Sequence, residues 1–288
     1  VAGSGCTVLN LNTIMVLSDY VNTFGQTMLR RYGERVHKVT INANFTCPNR
    51  DGTKGIGGCT FCNNRSFNPN SRQPPPIAQQ IEAGRRVIRK RTGAYLYIAY
   101  FQAYTNTYDE LENLKRLYQA ALDEPDIVGL SVGTRPDCVS EEVLDLLAQY
   151  RDEGYEIWLE LGLQSAFDDT LQRINRGHSF AEYQQTVQAA HRRNLQICTH
   201  LIMGLPGETT WHSYETLNRV LELGVAGLKL HPLHIVKGTQ LANTWRRGEY
   251  QPLTLPAYLS LAADLIERTP PEIIFHRLTA TASADILL

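Results

Sequence analysis

Three cysteines inside sixteen positions, Cys47, Cys59 and Cys62, constrain this chain more than any other feature. They are spaced C-x11-C-x2-C in the run Cys47-Pro-Asn-Arg-Asp-Gly-Thr-Lys-Gly-Ile-Gly-Gly-Cys59-Thr-Phe61-Cys62, with Gly52, Gly55, Gly57 and Gly58 between the first thiol and the closing pair. Glycine admits positive φ, so such a loop can fold tightly around a compact object with its amides turned inward. Three thiols suit a metal group held on three sides and open on the fourth. A zinc knob is the competing reading of the C-x2-C pair, but no histidine follows at finger spacing. A disulfide has little else to recommend it, because nothing in the chain suggests secretion.

Length and charge narrow the class. At 288 residues, 43% hydrophobic and 20% charged, the chain can bury the core of one large α/β domain. A net charge of −1 supplies no general attraction to polyanions or membrane surfaces, so a nucleic-acid partner is possible but not favoured. No run of eighteen apolar residues is present, so no membrane-spanning helix and no membrane partner are expected. Residues 1–16 lack the basic start of a signal peptide and read as a peripheral segment ahead of a domain at 17–288. Six cysteines in this length fit a reducing cytoplasm.

Along the chain, apolar residues at helical spacing over 17–32, stopped by Gly33, predict a lead-in helix. Alternation over 36–45 predicts a first strand that delivers Cys47 at its C-terminal end. Helices at 74–91, 109–122, 140–150, 180–193, 210–223 and 257–268 alternate with strands at 95–101, 127–132, 156–163, 195–203 and 225–230. This rhythm is that of a parallel barrel, here a partial (β/α)6 TIM-like barrel left open, with 273–276 as a possible extra edge strand. The basic run Arg85 to Arg91 is explained by the favourable placement of cations at a helix C-terminus. Reactive groups in parallel barrels gather at strand C-terminal ends, and each exit here carries polar residues. The last of them, Lys229 through His231, His234 and Lys237, places titratable and cationic groups where they favour an anionic substrate group.

The Cys-Pro-Asn-Arg-Asp-Gly-Thr run from Cys47 and the Gly-Gly-Cys-Thr-Phe-Cys run ending at Cys62 resemble the YhcC-type subfamily of the radical S-adenosylmethionine (SAM) superfamily. That subfamily is related to the radical SAM domain of the Elongator catalytic subunit. The resemblance spans residues 18–280 and implies a 4Fe–4S cluster with three irons on Cys47, Cys59 and Cys62, Phe61 beside it, and SAM on the fourth iron. It further implies Gln164 at the ribose and Arg176 at the SAM carboxylate. Gln102 and Thr105 stand in the place of the family's amino-group loop, and His200 where relatives often carry an aspartate at the second ribose contact.

The implied reaction is reductive cleavage of SAM to a 5′-deoxyadenosyl radical, with flavodoxin or ferredoxin as the low-potential electron donor. The radical would act on an RNA base or a small anionic metabolite. The alternative is a non-catalytic iron–sulfur or zinc-binding protein in electron transfer or assembly. Arg176, Gln164 and the turn Gly204-Leu-Pro-Gly207 speak against it, because an electron carrier needs none of them.

Overall fold

The computed structural model describes residues 17–63, 74–280 and 282–288, so the peripheral reading of 1–16 lies outside the described residues. Seven parallel strands form one sheet in sequence order. They are β1 (Val36–Ile41), β2 (Leu96–Phe101), β3 (Ile127–Thr134), β4 (Glu156–Gln164), β5 (Gln196–Met203), β6 (Gly227–Pro232) and β7 (Ile274–Arg277). Helices α1 (Phe24–Tyr32), α2 (Ile77–Thr92), α3 (Leu111–Leu122), α4 (Glu141–Asp152), α5 (Asp168–Arg173), α6 (Phe180–His191), α7 (Thr210–Glu222), α8 (Gln240–Arg246) and α9 (Leu255–Glu267) complete the alternation.

Strands β2, β3 and β4 are buried along nearly their whole lengths, as expected for a parallel sheet covered by crossover helices. Helix starts are fixed by hydroxyl caps. Thr23 accepts from the Gln26 amide, Ser140 from Val143, and Ser179 from Glu182 within a reciprocal capping box. Gly33, at φ 71°, closes α1.

The expected open parallel barrel is present, and three details of it are corrected. The edge strand is a full member of the sheet: β7 pairs in parallel with β6, so the half-barrel has seven strands rather than six, and β7 rather than β6 is the far edge. The seam between the edges is not empty at mid-depth. Lys38 Nζ on β1 lies 2.9 Å from His276 Nδ1 on β7, and the Phe275 amide donates to the Asn22 carbonyl just before α1. The first strand also stops at Ile41 although alternation runs on to Phe45. Asn42 Oδ1 accepts from the Asn44 amide and Gln80 Oε1 from the Asn42 amide, so side chains take the donors a strand would need.

The lumen is layered. Its bottom is apolar, with Val36, Ile98, Trp158, Cys198 and Ile274 packed over Phe24 and Met28 of α1. A polar layer lies above, centred on Glu160 and contacted by Lys38, Ser131, His200, Lys229 and His276. Over that layer opens the cavity at the strand C-terminal ends.

Candidate functional site: a cysteine-lined cavity at the barrel mouth

One cavity of about 240 Å³ collects the chemistry. Cys47, Cys59, Cys62 and Phe61 line it from the loop after β1, Gln102 and Thr105 from the exit of β2, and Gln164 and Arg176 from the exit of β4. His200, His231 and His234 line it from β5 and β6, so of the residues singled out in the sequence Lys237 and the Gly204–Gly207 turn lie off its wall. Lys237 Nζ instead reaches the Asp285 carbonyl at 2.7 Å. His234 lines the cavity while its Nε2 lies 3.0 Å from the Ala280 carbonyl. Both therefore touch the C-terminal segment.

The cysteine loop is built to be rigid. Gly57 and Gly58 sit at φ 86° and 80°, and a Cβ on Gly58 would stand 2.7 Å from Arg50 Nε. Arg50 wraps the loop and donates from Nη2 to the Cys62 carbonyl at 2.6 Å. Burial and the neighbouring Cys59 push the Cys62 thiol up. Burial opposes the charge of Arg50, yet the thiols of Cys62 and Cys47 leave its pKa raised.

Neighbouring elements latch the loop in place. Thr60 donates to the Ile174 carbonyl at 2.9 Å, Asn175 Nδ2 to the Gly58 carbonyl at 2.8 Å, and the Thr105 amide to the Thr46 carbonyl at 3.1 Å. Lys54 pairs with Asp137 at 2.6 Å, and Asp137 also receives Arg135. Arg135, 2% exposed, donates onward to the Arg176 carbonyl at 2.7 Å. Loop and Arg176 are thus held by one buried network.

Arg176 is 8% exposed and fixed by the end of β4. Its Nε and Nη2 donate to the Gly162 carbonyl at 3.2 and 2.6 Å, and its Nη1 stands 3.5 Å from Cys59 Sγ. A Cβ at Gly162 would come 2.8 Å from Arg176 Nη2 and 2.9 Å from Gln164 Nε2, so a larger residue there would displace both side chains. Gln164 is at φ 80°, a conformation that costs an ordinary side chain about 1–3 kcal/mol and is concentrated at functional positions. The register slip between Gly162 and Gln164 delivers this turn at the cavity wall.

The donor set fits a cluster with SAM beside it. Three thiols share one wall, a guanidinium stands next to them, and the buried Thr105 hydroxyl has no hydrogen-bond partner among the described residues. An orphaned buried hydroxyl on a cavity wall is a polar group awaiting a ligand.

Sequence reasoning passed over Arg50 and Tyr100, and gave Arg135 and Glu160 no role beyond the polar strand exits they lie at. Arg50 lies inside the cysteine run and was legible by position. Burial alone would raise the Glu160 carboxyl, but Lys229 and Lys38 hold it well below the usual carboxylate range. Burial lowers Lys229 to about 8 against the pull of Glu160, and lowers His200 to about 4 with help from Lys229.

Sequence similarity agrees with this geometry. The chain matches the family model of the Radical SAM superfamily over residues 46–220 and that of the Radical_SAM C-terminal domain over 225–288. It is similar to Protein YhcC of Escherichia coli strain K12, 53% identical over 274 residues, covering 95% of this chain and 88% of that one. It is also similar to Elongator complex protein 3 of Schizosaccharomyces pombe, 29% identical over 158 residues, covering 54% of this chain and 28% of that one. In fold it resembles the archaeal Methanocaldococcus infernus Elp3, with a TM-score of 0.65 at 19% identity, covering 88% of this chain and 58% of that chain. The chain belongs to the radical SAM superfamily.

Proposed function

We propose that this chain binds a 4Fe–4S cluster through Cys47, Cys59 and Cys62 and acts on a substrate in the lumen, either an RNA base or a small anionic metabolite. When bound, the cluster supplies the electron that cleaves SAM reductively to a 5′-deoxyadenosyl radical, which takes hydrogen from the substrate. One observation carries this reading: the three thiols, Arg176, Gln164 and the unpartnered Thr105 hydroxyl line a single cavity.

The chain's own residues bind and orient. Arg176 offers a planar guanidinium to the SAM carboxylate. Thr105 and Gln102 would meet its amino group, and Gln164 can both donate to and accept from a ribose diol. His200, neutral because burial and Lys229 lower it to about 4, presents a second polar edge there. Phe61, Ile202, Leu233 and Val236 supply apolar wall that limits water. Among the described residues no helix is long and apolar enough to cross a membrane. That is compatible with a cytoplasmic enzyme served by flavodoxin or ferredoxin.

Anaerobic reconstitution with iron and sulfide tests the reading. We expect a full cluster's iron in the wild type, its loss in Cys47→Ala, Cys59→Ala and Cys62→Ala, and dithionite-dependent 5′-deoxyadenosine measured by chromatography. Loss of iron from Cys138→Ala as complete as from Cys59→Ala, or no 5′-deoxyadenosine from the loaded protein, would overturn it.

A further inference from the structure

The polar layer under the cavity carries more positive charge than it can neutralise. Glu160, with no exposed surface, is the one carboxylate it holds among the described residues, and both Lys38 and Lys229 form ion pairs with it. An ammonium has three donors. Lys38 uses all three, on Glu160, on Ser131 Oγ at 3.0 Å and on His276 Nδ1 at 2.9 Å. Lys229 uses two, on Glu160 and on the Tyr100 hydroxyl at 2.9 Å, and its side chain lines the cavity.

Arg277 stands beside it. The register of β6 and β7 pairs Lys229 with Arg277, and the slip that precedes this pair leaves His276 as the extra residue of β7. His276 meets Glu160 and Lys38, while Arg277 lines the cavity and has no hydrogen bond or ion pair among the described residues. It is exposed, with all its donors free of the described residues. The other cavity cations are engaged: Arg50 by the thiol loop, Arg135 by Asp137, and Arg176 by Gly162. No Asp or Glu lines the cavity among the described residues.

We propose that Lys229 and Arg277, side by side on β6 and β7, form an oxyanion subsite that takes a carboxylate or phosphate group of the substrate. This deepens the functional reading above and rests on it for the identity of the bound molecule as substrate. A buried ammonium with an unused donor and a free guanidinium fork are matched by an oxyanion, which accepts from both. The subsite sits on β6 and β7, whereas the thiols come from the loop after β1 and Arg176 from the segment after β4. Substrate anchored there and SAM bound beside the thiols would therefore be held by different residues of one cavity.

Calorimetric titration of the reconstituted protein, saturated with SAM and held at constant ionic strength, tests the subsite with two probes, inorganic phosphate and acetate. The expected result is saturable binding of at least one probe, weakened tenfold or more in Arg277→Gln and unchanged in Arg86→Gln on α2. Arg277 is exposed, so its replacement should leave folding intact. Whichever probe binds more tightly names the substrate's charged group. Absence of saturable binding to the wild type, or equal binding by Arg277→Gln, overturns the subsite; an anion held at Arg176 would give the second result. Formation of 5′-deoxyadenosine by the same wild-type sample is scored separately. Cleavage without anion binding removes the subsite alone, and anion binding without cleavage removes the radical reading alone.

Discussion

Arg176 shows how a single side chain is prepared for a ligand. Two of its nitrogens are spent on the Gly162 carbonyl, which fixes the plane of the guanidinium before anything binds. Replacing Arg176 by alanine should weaken SAM binding at least about tenfold, since truncating one partner of a buried charged hydrogen bond costs about 2–5 kcal/mol. Iron content should not change, because Arg176 touches the loop only through Cys59 Sγ at 3.5 Å, while Arg50, Thr60 and Asn175 hold its backbone. Calorimetric titration of SAM into loaded wild type and variant checks this, and equal affinities would return Arg176 to a structural role. Its place on the cavity wall was legible in the sequence through its resemblance to a family motif. The strained turn at Gln164 and the close approach of Arg176 to Gly162 were not, because they arise from the register slip in β4 and from the segment at 174–177 packing against it.

At the level of elements, the alternation of strands and helices was legible because each strand is an apolar run between turn signals. Membership of β7 in the sheet was harder to read, since four residues carry little periodicity. Its place is set by α1, whose entry bridges to it: Thr23 pairs with Phe275, and the Phe24 ring packs on Trp158 and His276 with centroids at 6.1 and 4.5 Å. Lys38 Nζ stands 4.4 Å from the centre of the Phe24 ring, so this one ring plugs the lumen from below and reaches the polar layer. Phe24→Ala should therefore cost about 3–5 kcal/mol, the range for a buried aromatic, and loosen β7 in particular. Urea unfolding gives the first quantity and amide exchange at residues 274–277 the second. A loss under about 1 kcal/mol with unchanged exchange would mean that β7 is held by β6 alone.

Across the whole molecule, the feature least visible in the sequence is the charge centre at Glu160, which joins residues from β1, β3, β5, β6 and β7. No local pattern can announce contacts that only the curl of the sheet creates. That centre, with the neighbouring wall, buries four imidazoles whose protonation is suppressed. Burial and Arg176 lower His178 to about 3, and burial and Lys229 lower His200 to about 4. Burial, followed by His200 and Lys229, puts His231 well below its ordinary value, and burial with Lys38 does the same to His276.

The sign of the pH dependence follows. In the unfolded chain these rings take protons near pH 6.5, while in the folded protein they do so only at the lower values. Stability is therefore fully present above about pH 6.5 and falls as pH drops toward 4, because the unfolded state binds more protons throughout that window. Each ring contributes a slope of at most about 1.4 kcal/mol per pH unit. His200→Gln isolates one ring, since a glutamine amide can still donate to Glu160, as His200 Nε2 does at 2.7 Å, but cannot titrate. Urea unfolding at pH 7, 6 and 5 should give a curve for the variant that is shallower than wild type by up to one proton's worth between pH 6 and 5, and parallel to it near pH 7. Parallel curves over the whole range would mean that His200 is charged in the folded protein, paired with Glu160 as an ion rather than as a neutral donor.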